Sequence, residues 1–302
     1  MKPTRSAPAR SAAGFGLALV LAAGTTMLAG TAAHAQTVTS GTLGFGGDAG
    51  DYISGGQSYS YSTASQDRLD VSAAADDHEI SISVNGAHGD WWNLSLAAPA
   101  GQALTPGTYT GATRFPFNGA AEPGLSIGGN GRGCNTLTGS FTVSKAVFGP
   151  NGYVQALDAT YEQHCEGSTA ALRGEVHIDN PAPPAVLDLG LGIAVDGTAS
   201  ALNGKATVHG TVACNKPVKV AVSGLVTQVK NRILIRGPYS TSVSCVPGAP
   251  VAWSAQADPT ATTPFQRGEV EVAAHAGTTD PDYGTAVTAD RTVAVQLTRT
   301  RA

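Results

Sequence analysis

The sequence predicts an all-β protein made of two β-sandwich domains, and three observations carry this expectation. Apolar and polar residues alternate with a period of two in segment after segment. Turn-forming dipeptides separate those segments. After the first 35 residues no stretch shows the 3.6-residue periodicity of an amphipathic helix. The composition agrees. The 302 residues include 38 Gly and 17 Pro, which supply turns. Charged residues make up only 13%, too few for a coiled coil or a charge-solvated disordered chain.

Residues 1–35 read as an export signal. Lys2, Arg5 and Arg10 form a basic start with no acid, an apolar run follows from Gly14 to Gly30, and Ala33-His34-Ala35 fits a small-x-small cleavage site. The run falls short of the ~20 apolar residues that span a bilayer. Cleavage after Ala35 is expected, giving a secreted, extracellular chain with no membrane span. Loss of three basic residues takes the net charge from −4 to −7. An acidic chain of this kind is not expected to bind nucleic acid, since phosphate contacts need Lys and Arg.

In chain order, the strand-like segments include Glu79–Val84, Ser140–Ser144, Thr207–Val212, Val218–Val222, Arg232–Arg236, Glu269–Ala273 and Thr292–Leu297. Asn85-Gly86, Pro106-Gly107, Asn151-Gly152 and Asp196-Gly197 are expected turns between them. Many short strands spaced by turns predict a β-sandwich or barrel, and sandwiches are the expected form. The first domain is expected over residues 36–180 and the second over 186–302. The Pro-rich stretch 181–185 is read as their linker. Charge divides at the same place: residues 36–182 carry net −9 and residues 183–302 carry net +2.

Four cysteines allow three pairings. Cys134 with Cys165 and Cys214 with Cys245 have equal separations and place one bridge on each side of the linker, so these pairs are expected to be disulfides. The second domain, with seven or eight strands in about 115 residues, is expected to be immunoglobulin-like. Its bridge would pin two sheets, with Trp253 packed on it. Antibody-type domains place that Trp between the cysteines, whereas here it follows both.

The first domain carries dense turn and polar segments: GGDAGDYISGGQSYSY (46–61), the stretch 89–117, GRGCN (131–135) and QHCEG (163–167). Over nearly all of residues 40–180 it resembles an uncharacterised β-rich family of secreted, actinobacterial-type bacterial proteins. The resemblance implies a secreted β-rich fold and supplies no catalytic residue.

Candidate ligand residues are Trp91, Trp92, Tyr59, Tyr61, Arg114 and Arg132. Adjacent strand residues face opposite ways, so one of Trp91 and Trp92 should enter the core and the other should offer a stacking platform for a sugar ring. Tyr59 and Tyr61 share a face and would extend such a surface. Arg114 and Arg132 suit a carboxylate ligand, or else an internal acid such as Glu162, Glu166 or Glu175. His164 beside Cys165 resembles a thiol site, but a bridged cysteine is no nucleophile. Asp48, Asp51 and Asp76–Glu79 lack the calcium-loop pattern, and the histidines lack metal-ligand spacing. Asn93-Leu94-Ser95 fits a glycosylation sequon by chance. No metal, cofactor or catalytic residue is expected. The expected role is non-catalytic binding of a cell-surface glycan or another extracellular protein. The alternatives are a carbohydrate-binding or glycan-active accessory protein and a structural envelope protein.

Overall fold

The computed structural model describes residues 35–300. Apart from Ala35, the expected export signal lies outside the described residues. The described chain is all-β. Its first eleven strands are β1 (Gln36–Thr37), β2 (Ser40–Gly47), β3 (Ser58–Ser62), β4 (Arg68–Ala73), β5 (Glu79–Asn85), β6 (Trp91–Ala97), β7 (Gly107–Arg114), β8 (Gly124–Gly129), β9 (Leu137–Phe148), β10 (Val154–Cys165) and β11 (Leu172–Asp179). Eight more follow: β12 (Leu189–Ile193), β13 (Asp196–Ser200), β14 (Ala206–Cys214), β15 (Val218–Lys230), β16 (Ile233–Cys245), β17 (Val251–Ala257), β18 (Gly268–Thr279) and β19 (Ala286–Thr300). No helix among the described residues is long and apolar enough to cross a membrane.

The first eleven strands form one sheet in the order β1-β4-β5-β6-β8-β7-β9-β10-β11-β2-β3. The sheet curls, so strands far apart in this order face one another across a shared core. Trp92 on β6 meets Phe45 on β2 at 4.7 Å and Tyr59 on β3 at 4.9 Å between ring centroids. Alternation builds this core: Ile80, Ile82, Val84, Trp92, Leu94 and Leu96 all point inward and are buried. An aromatic row crosses the inner face, where Tyr109 stacks on Phe141 and Phe45 stacks on Tyr59. Gly174 lies between Tyr161 and Phe45 in this row. A Cβ at Gly174 would stand 2.4 Å from the Tyr161 ring, so close packing requires glycine there.

The later strands form a second sheet, in the order β12-β14-β13-β19-β18-β15-β16, with β17 paired to β14. Most of their inward residues join a separate hydrophobic cluster that includes Val208, Val222, Val272 and Trp253. The Trp253 ring stacks on Tyr239 at 6.0 Å, and its Nε1–H donates to the Gly192 carbonyl. Both expected disulfides are present, each joining cysteines 31 residues apart. They fit an oxidising compartment.

One expected turn and one expected strand boundary are corrected. Asp196-Gly197 opens strand β13 rather than a turn. Gly197 is required there because a Cβ would lie 2.8 Å from the Thr207 carbonyl oxygen. Arg232, expected to open a strand, forms the β15–β16 hairpin turn with Asn231, at φ of 65° and 51° respectively, and the strand begins at Ile233. Asn231 tolerates this left-handed region well, while the arginine is an uncommon occupant of it.

Candidate functional site

Trp92 has no exposed surface. Its Nε1–H donates to the Tyr61 hydroxyl, which in turn donates to the Asp90 carboxylate. Burial, reinforced by that acceptor, raises the Tyr61 hydroxyl well above the ordinary tyrosine range. This chain of bonds fixes the inward residue of the pair. The period of two then sends Trp91 to the outer face, where it is 45% exposed. The Asn130 side chain accepts a hydrogen bond from the Trp91 backbone N–H and ties down this end of β6.

The outer face around Trp91 is neutral and polar. Asn85 pairs with Trp91, Ser83 with Asn93, and Ser81 with Ser95 across β5 and β6. On β8, Gly128 pairs with Asn93 and Ser126 with Ser95. On β4, Ser72 pairs with Ser81, Asp70 with Ser83, and Arg68 with Asn85. The charges lie at the margin: Arg68 Nε is 2.7 Å from Asp70, and Glu79, at the start of β5, lies 3.3 Å from His78 Nε2. The Ser81 and Ser95 hydroxyls lie 3.1 Å apart. The side chains of Ser83, Asn85, Asn93 and Ser126 make no internal hydrogen bond among the described residues. Four strands at sheet spacing make this face about 14 Å wide. It offers amide and hydroxyl groups that both donate and accept, with one indole at its edge.

The opposite stretch of the sheet has a different character. On the outer side of β10 and β11, Glu162 is bound by Arg173 Nε at 2.7 Å and lies 3.2 Å from His164. These partners, His164 first and then Arg173, hold the Glu162 carboxyl below its usual range. Arg173 also reaches Asp48. This face is an ion-pair network, whereas the Trp91 face is uncharged at its centre.

The structure gathers only some of the predicted ligand residues. Trp92 and Tyr61 are core side chains with no face free for a ligand, because both turn inward at the closure of the sheet. Tyr59 is half-buried on the same inner side. Arg132 sits over the Trp92 ring at 5.1 Å and donates to the Tyr59 hydroxyl at 3.2 Å, so it caps the aromatic core. Arg114 stands at the other end of β8, beside Leu125. There it lies over the 74%-exposed Phe117 ring and donates to the Asn135 carbonyl.

Neither arginine pairs with Glu162, Glu166 or Glu175. Glu166 instead accepts from the Asn135 and Thr136 backbone N–H groups and the Thr136 hydroxyl. These bonds, that of Asn135 foremost, lower its carboxyl. They join the GRGCN and QHCEG segments beside the Cys134–Cys165 bridge.

The serines and asparagines of the outer face are absent from the ligand candidates read from the sequence. Their signal was present: 81, 83, 85, 91, 93 and 95 are the outward partners of the inward positions 80, 82, 84, 92, 94 and 96. Among the described residues no three His, Cys, Asp or Glu side chains gather as metal ligands do. No protein-family model matches the chain, and no curated protein is significantly similar to it.

Proposed function

We propose that this is a non-catalytic extracellular binding protein whose ligand is a carbohydrate, held on the outer face of β4, β5, β6 and β8. The observation that carries the reading is an exposed Trp91 beside hydrogen-bonding groups that have no partner among the described residues. A pyranose has an apolar face and a rim of hydroxyls. An indole with neighbouring amides and hydroxyls matches both, the ring through its flat apolar surface and the polar groups through reciprocal hydrogen bonds. Neutrality at the centre of the face favours an uncharged sugar over a carboxylate or phosphate.

We read the two halves as β-sandwich domains joined by residues 181–185, the second immunoglobulin-like and acting as spacer or adhesive module. Separate hydrophobic clusters support the division. For the second half, β12 and β13 both pair antiparallel with β14 while β13 also pairs parallel with β19, a pairing that suits an opening strand shared between two layers. The pairings β14–β17 and β15–β18–β19 complete that pattern. Secretion and kinship with the actinobacterial-type secreted family belong to the same reading, supported by the two disulfides and by the GRGCN and QHCEG segments.

The test is a glycan array and insoluble-polysaccharide pull-down with the purified protein, comparing wild type with Trp91→Ala and Asn93→Ala. Binding that is lost in both variants, with melting unchanged, is the expected result. Absence of binding to every glycan, or equal binding by the variants, would overturn the proposal.

A further inference from the structure

The end of the second half formed by the β15–β16 hairpin tip, the turn 200–205, the loop 258–267 and the end of β19 combines two features. The first is positive charge. Six of the ten Lys and Arg of residues 183–302 gather here: Lys205, Lys230, Arg232, Arg236, Arg267 and Arg299. Register and contacts bring them together. Lys230 pairs with Ile233 across the hairpin, and its Nζ donates to the Arg267 carbonyl. Arg299 pairs with Ala199 at the start of the turn. Lys205 is bound to Asp258, while the other five make no ion pair among the described residues. Glu269 and Glu271 are the remaining acids nearby, on β18.

The second feature is exposed apolar surface on the hairpin and the 200–205 turn. Leu202 is 81% exposed, Val229 70%, Leu234 51% and Ile233 48%. Val229 and Leu234 lie directly opposite each other on the outward face of the hairpin. Between the turn and the loop opens a cleft of about 610 Å³ with Leu202 at its wall. Arg267 and Arg299 also line it, and among the described residues no acid does.

We propose that this end docks on the surface of a bilayer containing anionic phospholipid. Leu202, Val229, Ile233 and Leu234 would enter the headgroup–acyl boundary, and the cleft guanidiniums would take a phosphodiester. Charge complementarity selects this occupant. Five cations with no ion pair among the described residues lie at the same end as exposed apolar side chains of the hairpin and the 200–205 turn, which is the composition of an interfacial membrane contact. A guanidinium pair in an acid-free cleft is likewise suited to phosphate. This surface is separate from the Trp91 face, and the proposal stands without the carbohydrate reading.

The test is cosedimentation of the purified protein with vesicles of phosphatidylcholine alone and of phosphatidylcholine mixed equally with phosphatidylglycerol. Binding to the mixed vesicles only, weakening as salt is raised, is expected. Arg232→Gln and Arg267→Gln should each lower the partition coefficient roughly fivefold. Val229→Ser with Leu234→Ser should lower it further without changing the thermal melt. Equal binding to both vesicle types, no binding, or wild-type binding by all variants would overturn the proposal. Full competition by soluble glycerophosphate would overturn it in favour of a free phosphoester. A dimer in light scattering that the Val229→Ser, Leu234→Ser protein abolishes would assign the surface to a second copy of the chain.

Discussion

Trp91 and Trp92 are neighbours in sequence and should behave as opposites under mutation. Trp92→Ala removes a fully buried indole that contacts Phe45 and Tyr59 and donates to Tyr61. Burial of that size corresponds to about 3–5 kcal/mol for truncation to Ala. For a chain of this size, each kcal/mol lowers the melting temperature by about 2–4 °C, so a fall of roughly 6–20 °C is expected. Trp91→Ala removes a ring that is nearly half exposed, and should cost no more than about 0.5 kcal/mol. Scanning calorimetry on both variants measures the contrast, and glycan binding measures its reverse, with Trp91→Ala abolishing binding at unchanged stability. A Trp92→Ala protein that melts with wild type, or a Trp91→Ala protein that loses as much, would refute the register assigned to β6. A one-residue slip exchanges the two faces of a strand.

Three further outcomes are expected. Replacing Cys214 and Cys245 by Ser opens a loop of 31 residues and should cost roughly 3–4 kcal/mol, read from denaturant unfolding. Asp280 is nearly fully buried and accepts from Lys216 Nζ at 2.8 Å, from the Leu187 N–H and from the Asp282 N–H. Burial alone would raise its carboxyl, but these donors outweigh burial and hold it below the ordinary aspartate value. Its contribution to stability is therefore complete above the unfolded value and disappears as pH falls through the lower folded value. Asp280→Asn should cost about 2 kcal/mol at neutral pH and flatten the acid limb of a melting-versus-pH curve. Finally, Arg232→Gly relieves a left-handed backbone position and should stabilise the protein by up to about 1 kcal/mol in calorimetry, while weakening vesicle binding.

Much of the fold was legible because period-two alternation is a local signal. Glu79–Val84 is the body of β5, and Thr207–Val212 lies within β14. The disulfide pairing was legible from spacing. The turns were read less well, because glycine has two uses. Thirteen described glycines have positive φ. Others, such as Gly174 and Gly197, are required by close packing inside strands, and a sequence motif does not separate the two. The Asn231–Arg232 turn was missed because neither residue is glycine. At the site, alternation foretold that Trp91 and Trp92 would face apart but not which would be buried. That depended on Tyr61 and Asp90, 31 and 29 residues apart from their bonding partners. Arg132 was expected to meet an acid and instead caps aromatic rings that the curl of the sheet brings from β3 and β6.

The pairing of β2 has a consequence in time. One edge of β2 is closed locally by β3, but the other pairs Ser40 with Asp179 and Leu43 with Val176. Gln36 and Thr39 are likewise held by Val154 and Asn180. For a chain that appears from its N-terminus onward, that edge stays open until residue 179 has emerged. Closure of the first sheet then awaits its last strand, and contacts this distant in sequence form slowly. The first half must remain unsealed, with its aromatic row uncovered, for as long as its own synthesis takes.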